Sequence, residues 1–198
     1  KDDKSKSGSG ASLKEHLAAK GVTSLGRCDP KKAPIEGTFE KVARKTPGKV
    51  FITTTSSNVS RLQQAINVAL RLGRKIVLSG RSIDNNFQVA RDLGYLDVPP
   101  GLVVSADAAA SFDSSKLLIL IAGAFGQPTS SLARVASGVH KQFRLAKGDS
   151  VIFSADPIPS TESAQNALID HLFLAGANVY YSAITSDLHV SGHAAEGE

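Results

Sequence analysis

The sequence has few of the features that mark secreted and membrane proteins. Its single cysteine, Cys28, excludes an internal disulfide and a zinc site built from cysteines. No apolar run approaches the roughly 18 residues that a membrane-spanning helix needs, and the N-terminus opens with charged residues instead of an apolar signal segment. We therefore expect a soluble, cytoplasmic protein without membrane contact, whose 198 residues are enough for one domain with a sizeable core.

Positive charge is missing from the last quarter of the chain. Residues 151–198 contain no lysine or arginine and six Asp and Glu, so all 23 basic residues lie in residues 1–150. A basic surface of this kind predicts a polyanionic partner for the first three quarters of the chain. The alternative is a solvated basic surface followed by an acidic tail.

Short apolar runs of strand length alternate with helical stretches after Gly37. The runs are residues 50–53, 76–78, 102–104, 117–121, 151–153 and 179–181. Because they are apolar on both faces, they predict an α/β, Rossmann-like fold with a mainly parallel sheet and helices on both faces. In the clearest helix, the spacing predicts a buried stripe of Leu62, Ile66, Ala69 and Leu70, with Arg61, Gln64, Asn67 and Arg71 outside it.

Small polar or glycine-containing loops follow three of the predicted strands, at residues 54–58, 79–82 and 122–126. The carboxyl ends of parallel strands share one edge of the sheet, where ligands of such folds bind. Hydroxyls, backbone N–H groups and helix N-termini favour phosphate, and Arg81 adds a guanidinium suited to a phosphodiester. The loops therefore predict one phosphate pocket, although ordinary strand-to-helix turns use the same residue types. No dinucleotide fingerprint or P-loop is present.

Two histidines, His189 and His193, stand four residues apart with Ser191 and a glycine between them. On a turn they could present both imidazoles to one substrate group, as a general acid or as phosphate donors. The alternative is a pair of histidines at a solvated chain end. As a metal site the segment is weak, because two histidines are too few.

Four segments, read in order and spacing, resemble the ribonuclease J family of β-CASP metallo-β-lactamase nucleases. They are TSSNVSRLQQ (residues 55–64), GRSIDNN (80–86), SADPIP (154–159) and HVSGHA (189–194). The resemblance covers the chain from about Gly37 to the end. It implies a β-CASP domain at residues 37–182, preceded by a flexible lead-in at 1–10 and the end of a metallo-β-lactamase segment at 11–36. Residues 183–198 would be the return segment, so fragments of the lactamase domain would flank the β-CASP fold.

The resemblance also implies a function and a set of site residues. It implies a zinc-dependent ribonuclease with 5′-to-3′ exonuclease and endonuclease activity in RNA processing and decay. Single-stranded RNA would run between the β-CASP and metallo-β-lactamase domains, and the complete enzyme would be a homo-oligomer. His193 and Glu36 would be catalytic, and Asp29 would hold metal. Substrate would be bound by His189, Ser191, Ser57, Asn58, Arg81, Ser82, Gly123 and Ala124, and we expect the positive charge to come from Arg61, Arg74, Arg81 and Arg91.

The sequence also departs from the family pattern. The H-x-H-x-D-H zinc motif of the lactamase domain is absent, and the glycine loop reads GAFGQ where the family usually has GSQGE. Phe125 in that loop could stack on a base. The chain is therefore expected to be the β-CASP segment of a longer enzyme, inactive and without zinc on its own. The alternative is a non-catalytic β-CASP paralogue or subunit that serves as an RNA-binding or interaction module.

Overall fold

Five parallel strands and the helices between them make up the described part of the chain. The structure, a computed structural model, describes residues 33–155, 158–185 and 188. The strands are β1 (Val50–Thr53), β2 (Lys75–Ser79), β3 (Leu117–Ile121), β4 (Ser150–Phe153) and β5 (Asn178–Tyr180). The helices are α1 (Ala33–Lys45), α2 (Val59–Arg71), α3 (Arg81–Asp92), α4 (Ala106–Ala109), α5 (Ser131–Ala136) and α6 (Glu162–Leu174), with a 3₁₀ turn at Ser114–Lys116.

The strands form one sheet in the order β2-β3-β1-β4-β5, and all four pairings are parallel. In the central strand, Val50 lies between Leu118 of β3 and Ser150 of β4. Consecutive side chains of a strand point to opposite faces. Val50 and Ile52 accordingly pack in one apolar cluster and Phe51 in a second.

Helices cover both faces of the sheet. The first cluster contains residues of α1, α2 and α3, including Phe39, Ile66 and Phe87. The second contains residues of α4, α5 and α6, including Leu132 and Leu168. The predicted parallel α/β fold with helices on both faces is therefore confirmed.

The predicted strand at residues 102–104 is wrong. This segment makes a single parallel bridge, between Val103 and Ile76 of β2. The backbone N–H of Ile76 donates to the Leu102 carbonyl, and the Ile76 carbonyl accepts from the N–H of Val104, each at 2.9 Å. The segment lies on the outer side of β2 and does not take a place of its own among the five strands.

The predicted stripe of α2 is wrong at three positions. Leu70 is 44 % exposed, whereas Arg61 and Gln64 are buried. Helix α1, which packs against α2, was also not predicted from the sequence. Residues of α1 such as Phe39 share a cluster with α2, so α2 is covered by a helix as well as by the sheet.

Only some of the predicted domain limits fall within the residues that the structure describes. The boundary between residues 36 and 37 lies inside α1, whose Ile35 packs in the same cluster as Phe39. Residues 1–32 and 189–198, where the lead-in and most of the flanking lactamase fragments were expected, lie outside the described residues. The division of the chain stays a prediction. In the part of the chain that the structure describes, no helix is long and apolar enough to cross a membrane.

Candidate functional site

The three polar loops meet at the carboxyl edge of the sheet and line one cleft of about 710 Å³. We call it the strand-end cleft. It is lined by Thr54–Ser56 after β1, Gly80–Ser82 after β2, and residues 122–125 after β3, and it is completed by Gln127 and residues 129–131 and 134. The prediction that the three loops share one edge is confirmed.

Close backbone packing shapes the cleft at two glycines. Gly80, with φ +116°, lies so close to β3 that a Cβ there would be 2.5 Å from the Cβ of Ala122. Gly123, with φ +132°, approaches Ser130, and a Cβ there would be 2.5 Å from the Ser130 hydroxyl oxygen. Only glycine adopts such backbone angles easily. These contacts bring the loop after β3 against both the loop after β2 and the start of α5.

Side-chain hydrogen bonds fix the loops that surround the cleft. Gln165 of α6 donates through Nε2 to the Ala124 carbonyl at 2.6 Å. The Ser130 hydroxyl accepts from the Ala133 N–H at 3.2 Å and so caps α5. Ser56 accepts from Asn86 of α3 at 2.9 Å, which joins the loop after β1 to the helix after β2.

Arg81 and Arg134 bring positive charge to the cleft, and both are exposed. Arg134 Nη2 lies 3.4 Å from the hydroxyl of the buried Ser131. Among the described residues that line the cleft there is no aspartate, glutamate or histidine. Two guanidinium groups surrounded by hydroxyls and backbone N–H groups are suited to an anion.

Arg134 and Ser130 were missed in the sequence interpretation. Their signal was present, because Ser130, four residues after the glycine loop ends at Gly126, is a residue type that caps helices. Arg134 follows four residues later, and this spacing places it one turn into that helix. What the sequence pattern does not reveal is the contact of α5 with the loop after β3, which brings Arg134 to the cleft.

The structure brings four of the predicted substrate-binding residues together. Arg81, Ser82, Gly123 and Ala124 all line the strand-end cleft, as does the half-buried Phe125. Ser57 and Asn58 do not line it. Asn58 instead caps α2, where its Oδ1 accepts from the Arg61 N–H at 3.2 Å. Their place at the cleft is taken by Thr54–Ser56.

Glu36 lies on α1 and pairs with α2. Its Oε1 is 2.6 Å from Nη1 of Arg71, and its Oε2 accepts from Asn67 at 3.2 Å. It is not among the residues that line the strand-end cleft. Its catalytic role stays a prediction, as do the roles of Asp29, His189, Ser191 and His193, which lie outside the described residues.

Three of the four arginines that the sequence analysis assigned to RNA do not line the cleft. Arg74 is buried and donates to the carbonyls of Ala43, Thr46, Gly48 and Leu117, near the start of the strands. Arg61 is buried and donates to Gln64 at 2.9 Å. Arg91 is exposed near the end of α3 and pairs with Asp92. The expectation for Arg61, Arg74 and Arg91 is therefore wrong, because two are buried within the fold and the third lies away from the cleft.

A second cavity, of about 540 Å³, adjoins the strand-end cleft, and we call it the side cavity. Ser79 and His140 line it, and both are almost fully buried. His140 Nε2 lies 3.2 Å from the Ser79 hydroxyl oxygen. Burial, and then the nearby charges of Arg134 and Arg144, lower the pKa of His140 below its usual 6.5.

The described residues do not fit a zinc site. Among them, no three His, Cys, Asp or Glu side chains are grouped closely enough to hold a metal ion. We therefore assign no step to zinc.

Comparison with known proteins identifies the fold. The family model described as "Ribonuclease J, beta-CASP domain" matches residues 47–172, which is more than half of the chain. The chain therefore belongs to the ribonuclease J family. The match includes β1 to β4 with α2 to α5, so the β-CASP domain and the strand-end cleft lie in the same part of the chain.

Several curated members of the ribonuclease J family are similar to this chain. Ribonuclease J of Synechocystis sp. is 36 % identical over 169 residues, covering 85 % of this chain and 26 % of that protein. Ribonuclease J of Helicobacter pylori strain 26695 is 34 % identical, covering 85 % and 24 %. Ribonuclease J2 of Bacillus subtilis is 32 % identical, covering 85 % and 30 %. The chain thus spans 24 to 30 % of the length of these relatives.

Proposed function

We propose that this chain is the RNA-binding β-CASP portion of a ribonuclease J-type enzyme, and that the strand-end cleft binds a phosphate of single-stranded RNA. The observation that carries the proposal is the convergence of three polar loops on one cleft with Arg81 and Arg134 at its wall. The names of its relatives, ribonuclease J and ribonuclease J2, indicate RNA as the class of substrate.

The charges of the cleft support phosphate over other ligands. The described lining residues include two guanidinium groups and no carboxylate, so an anion meets attraction without an opposing negative charge. An arginine offers planar, forked donors that match two oxygens of one phosphate. Phe125, half-buried in the same cleft, provides an aromatic face on which an unpaired base can stack.

The same residues support binding more than catalysis by the cleft itself. None of its described lining residues can exchange a proton near neutral pH, since histidine, aspartate and glutamate are absent from them. In the proposal, His193 supplies acid–base chemistry near the scissile phosphate, with His189 and Ser191 contacting the same group. The second candidate is a non-catalytic β-CASP paralogue or subunit that acts as an RNA-binding or interaction module. The observation that supports it is the absence of histidine, aspartate and glutamate among the described residues of the cleft.

The proposal also concerns the complete protein: its further domain or subunit, its metal, its activities, its assembly and its location. The chain covers 24 to 30 % of the length of its relatives, so a metallo-β-lactamase domain, or a subunit that contains one, would complete the enzyme. Zinc, 5′-to-3′ exonuclease and endonuclease activity, a homo-oligomeric assembly and a cytoplasmic location belong to the same proposal.

Binding of single-stranded RNA to the chain tests the role of the cleft. Wild type should bind weakly, with log K falling by about 0.7 per neutralised phosphate for each unit of log salt. Arg81→Ala should lower the affinity about tenfold and reduce the slope by about one phosphate's share. Arg91→Ala, which removes an exposed arginine from the same helix but outside the cleft, is the matched control.

Affinity and salt slope would be measured by fluorescence anisotropy of a labelled oligonucleotide. Equal losses in the Arg81→Ala and Arg91→Ala variants would mean that general surface charge binds the RNA, and the cleft would be rejected as the phosphate site. Turnover by the complete protein separates the two candidate functions. If His193→Ala lowers kcat far more than RNA affinity, the enzyme is supported, whereas a wild type without turnover supports the binding module.

A further inference from the structure

The side cavity shares a wall with the strand-end cleft. Gly80, Arg81, Ser131 and Arg134 line both spaces. A phosphate held between Arg81 and Arg134 would therefore face the strand-end cleft on one side and the side cavity on the other. A volume of about 540 Å³ falls in the range of about 300–1,000 Å³ that is typical of small-molecule sites.

The hydrogen bonds of His140 fix its proton. Nδ1 accepts from the backbone N–H groups of Gln142 and Phe143, at 3.3 and 3.2 Å. A nitrogen that accepts carries no proton, so the proton of the neutral ring lies on Nε2. Nε2 then donates to the Ser79 hydroxyl oxygen at 3.2 Å. Burial keeps the ring neutral, in agreement with the lowered pKa of His140.

This arrangement makes Ser79 a donor and not a nucleophile. A histidine activates a serine only if its free nitrogen accepts the serine proton, whereas here the nitrogen facing Ser79 already holds a proton. Since the Ser79 oxygen accepts from His140, its own hydrogen is available to an acceptor in the side cavity that both residues line. Such a hydroxyl is oriented, because a buried and hydrogen-bonded histidine holds it.

Asp84 and Gln88 of α3 add hydrogen-bonding groups to the same cavity. Asp84 is exposed and Gln88 is half-buried. The Asp84 carboxylate only accepts hydrogen bonds, whereas Gln88 can donate and accept. The cavity thus offers a donor at Ser79 and an acceptor at Asp84, a combination that suits the mixed edge of a nucleobase more than a second phosphate.

We propose that the side cavity binds the base of a second nucleotide, next to the one whose phosphate lies at Arg81 and Arg134. Ser79 and Asp84 would form the hydrogen bonds to this second base. This inference rests on the proposed function, because it requires RNA in the strand-end cleft. It adds a second nucleotide position and a preference among bases. Adenine, cytosine and guanine carry an amino group that can donate to Asp84. Uracil has only one ring N–H on its pairing edge, flanked by two carbonyl oxygens that repel a carboxylate.

Binding of mononucleotides and dinucleotides to the chain tests this inference. The probes are the 5′-monophosphates of the four nucleosides and the matching 5′-phosphorylated homodinucleotides, measured by isothermal titration calorimetry. Dinucleotides should bind about three- to tenfold more tightly than mononucleotides, as expected for one or two added hydrogen bonds. The gain should be smallest for uridine.

Two variants distinguish base binding from general effects. Ser79→Ala should reduce the gain of the dinucleotides and leave mononucleotide affinity within about twofold. Because Ser79 is buried, the exposed Asp84→Asn is the second variant, and it should remove the disadvantage of uridine. Asp107→Asn on α4 changes charge equally but lines neither cavity, so it should leave the base preference unchanged.

The outcomes separate this inference from the proposed function. If wild type binds mononucleotides and gains nothing from a second nucleotide, the side cavity is not a base site, while the strand-end cleft still stands. If Asp84→Asn and Asp107→Asn change the base preference equally, the contact with Asp84 is rejected. If no nucleotide or RNA binds, the proposed function itself fails.

Discussion

The carboxylate of Asp149 holds Lys49 through both its side chain and its backbone. Asp149 Oδ2 lies 2.9 Å from Lys49 Nζ, and Oδ1 accepts from the Lys49 backbone N–H at 2.7 Å. Oδ2 also accepts from the Ala146 N–H at 2.9 Å. Asp149 is 1 % exposed and immediately precedes β4, while Lys49 immediately precedes β1. The pair thus fastens the beginnings of two neighbouring strands.

Asp149→Ala should therefore destabilise the domain strongly. Removing one partner of a buried ion pair leaves the other partner and its hydrogen-bonding groups uncompensated, and the usual cost is about 3–5 kcal/mol. We expect the lower end, about 3 kcal/mol, because the Lys49 side chain retains 13 % exposure. Urea denaturation measures the change. Asp107→Ala, an exposed site, should stay within about 0.5 kcal/mol, and equal effects of the two substitutions would contradict this account.

Arg74 should affect stability and leave RNA binding alone. Its two terminal nitrogens donate to four backbone carbonyls, at 2.8 to 3.0 Å. Arg74→Met leaves those buried carbonyls without a donor, so the free energy of unfolding should fall by at least about 3 kcal/mol. The folded fraction should keep the salt slope of wild type in RNA binding, unlike Arg81→Ala. If Arg74→Met reduced the salt slope of RNA binding and left the free energy of unfolding unchanged, Arg74 would be a phosphate contact instead.

His140 should make the domain sensitive to mild acid. Its pKa in the folded state is lowered by burial and by Arg134 and Arg144, so the unfolded chain takes up the proton first as the pH falls. The stabilisation from neutral His140 is therefore complete above about pH 6.5 and decreases below it. His140→Gln should reduce this dependence. Stability curves of wild type and variant between pH 5 and 8 provide the measurement, and parallel curves would disprove the role of His140.

Gly123→Ala should disturb both stability and the cleft. The new Cβ would meet the Ser130 hydroxyl, and φ of +132° is strained for alanine. We expect a loss of about 1–3 kcal/mol, with weaker RNA binding because the loop must move. Gly37→Ala is the control, since a Cβ there meets nothing within 4 Å and Gly37 lies inside α1. It should stabilise by about 0.5–1 kcal/mol. A harmless Gly123→Ala would show that the loop is not tightly packed.

Much of the fold could be predicted from the sequence, because a strand is indicated by a short apolar run that can be recognised without knowing the rest of the fold. The residues of β1 and β3 were predicted as the structure has them, since each is a short apolar run between turns. Residues 102–104 carry the same signal but lie outside β2, where one bridge is all that forms. Edge position depends on the order of the strands, which periodicity does not encode.

The sequence predicted the site residues whose position depends on a single loop. It did not predict those whose position depends on contacts between distant elements. Arg81 and Gly123 each come two residues after the end of a strand, so the rule for parallel sheets placed them at the cleft. The burial of Arg61 depends on tertiary contacts around α2, and the place of Arg134 at the cleft depends on how α5 packs beside the loop after β3. A serine cap predicts α5 and places Arg134 in its first turn, but the spacing of residues along one helix does not show which other elements that helix contacts.

The bridge at Ile76 also bears on whether a strand of another molecule can add to the sheet at β2. An outer strand normally presents unpaired N–H and C=O groups to which a strand of another molecule can add. Here the outward N–H and C=O of Ile76 are both occupied by residues 102–104. At the opposite edge, β5 has only three residues, and short edge strands are poor templates. In the described sheet, residues 102–104 therefore oppose the addition of a further strand at Ile76, and the shortness of β5 opposes it at the other edge.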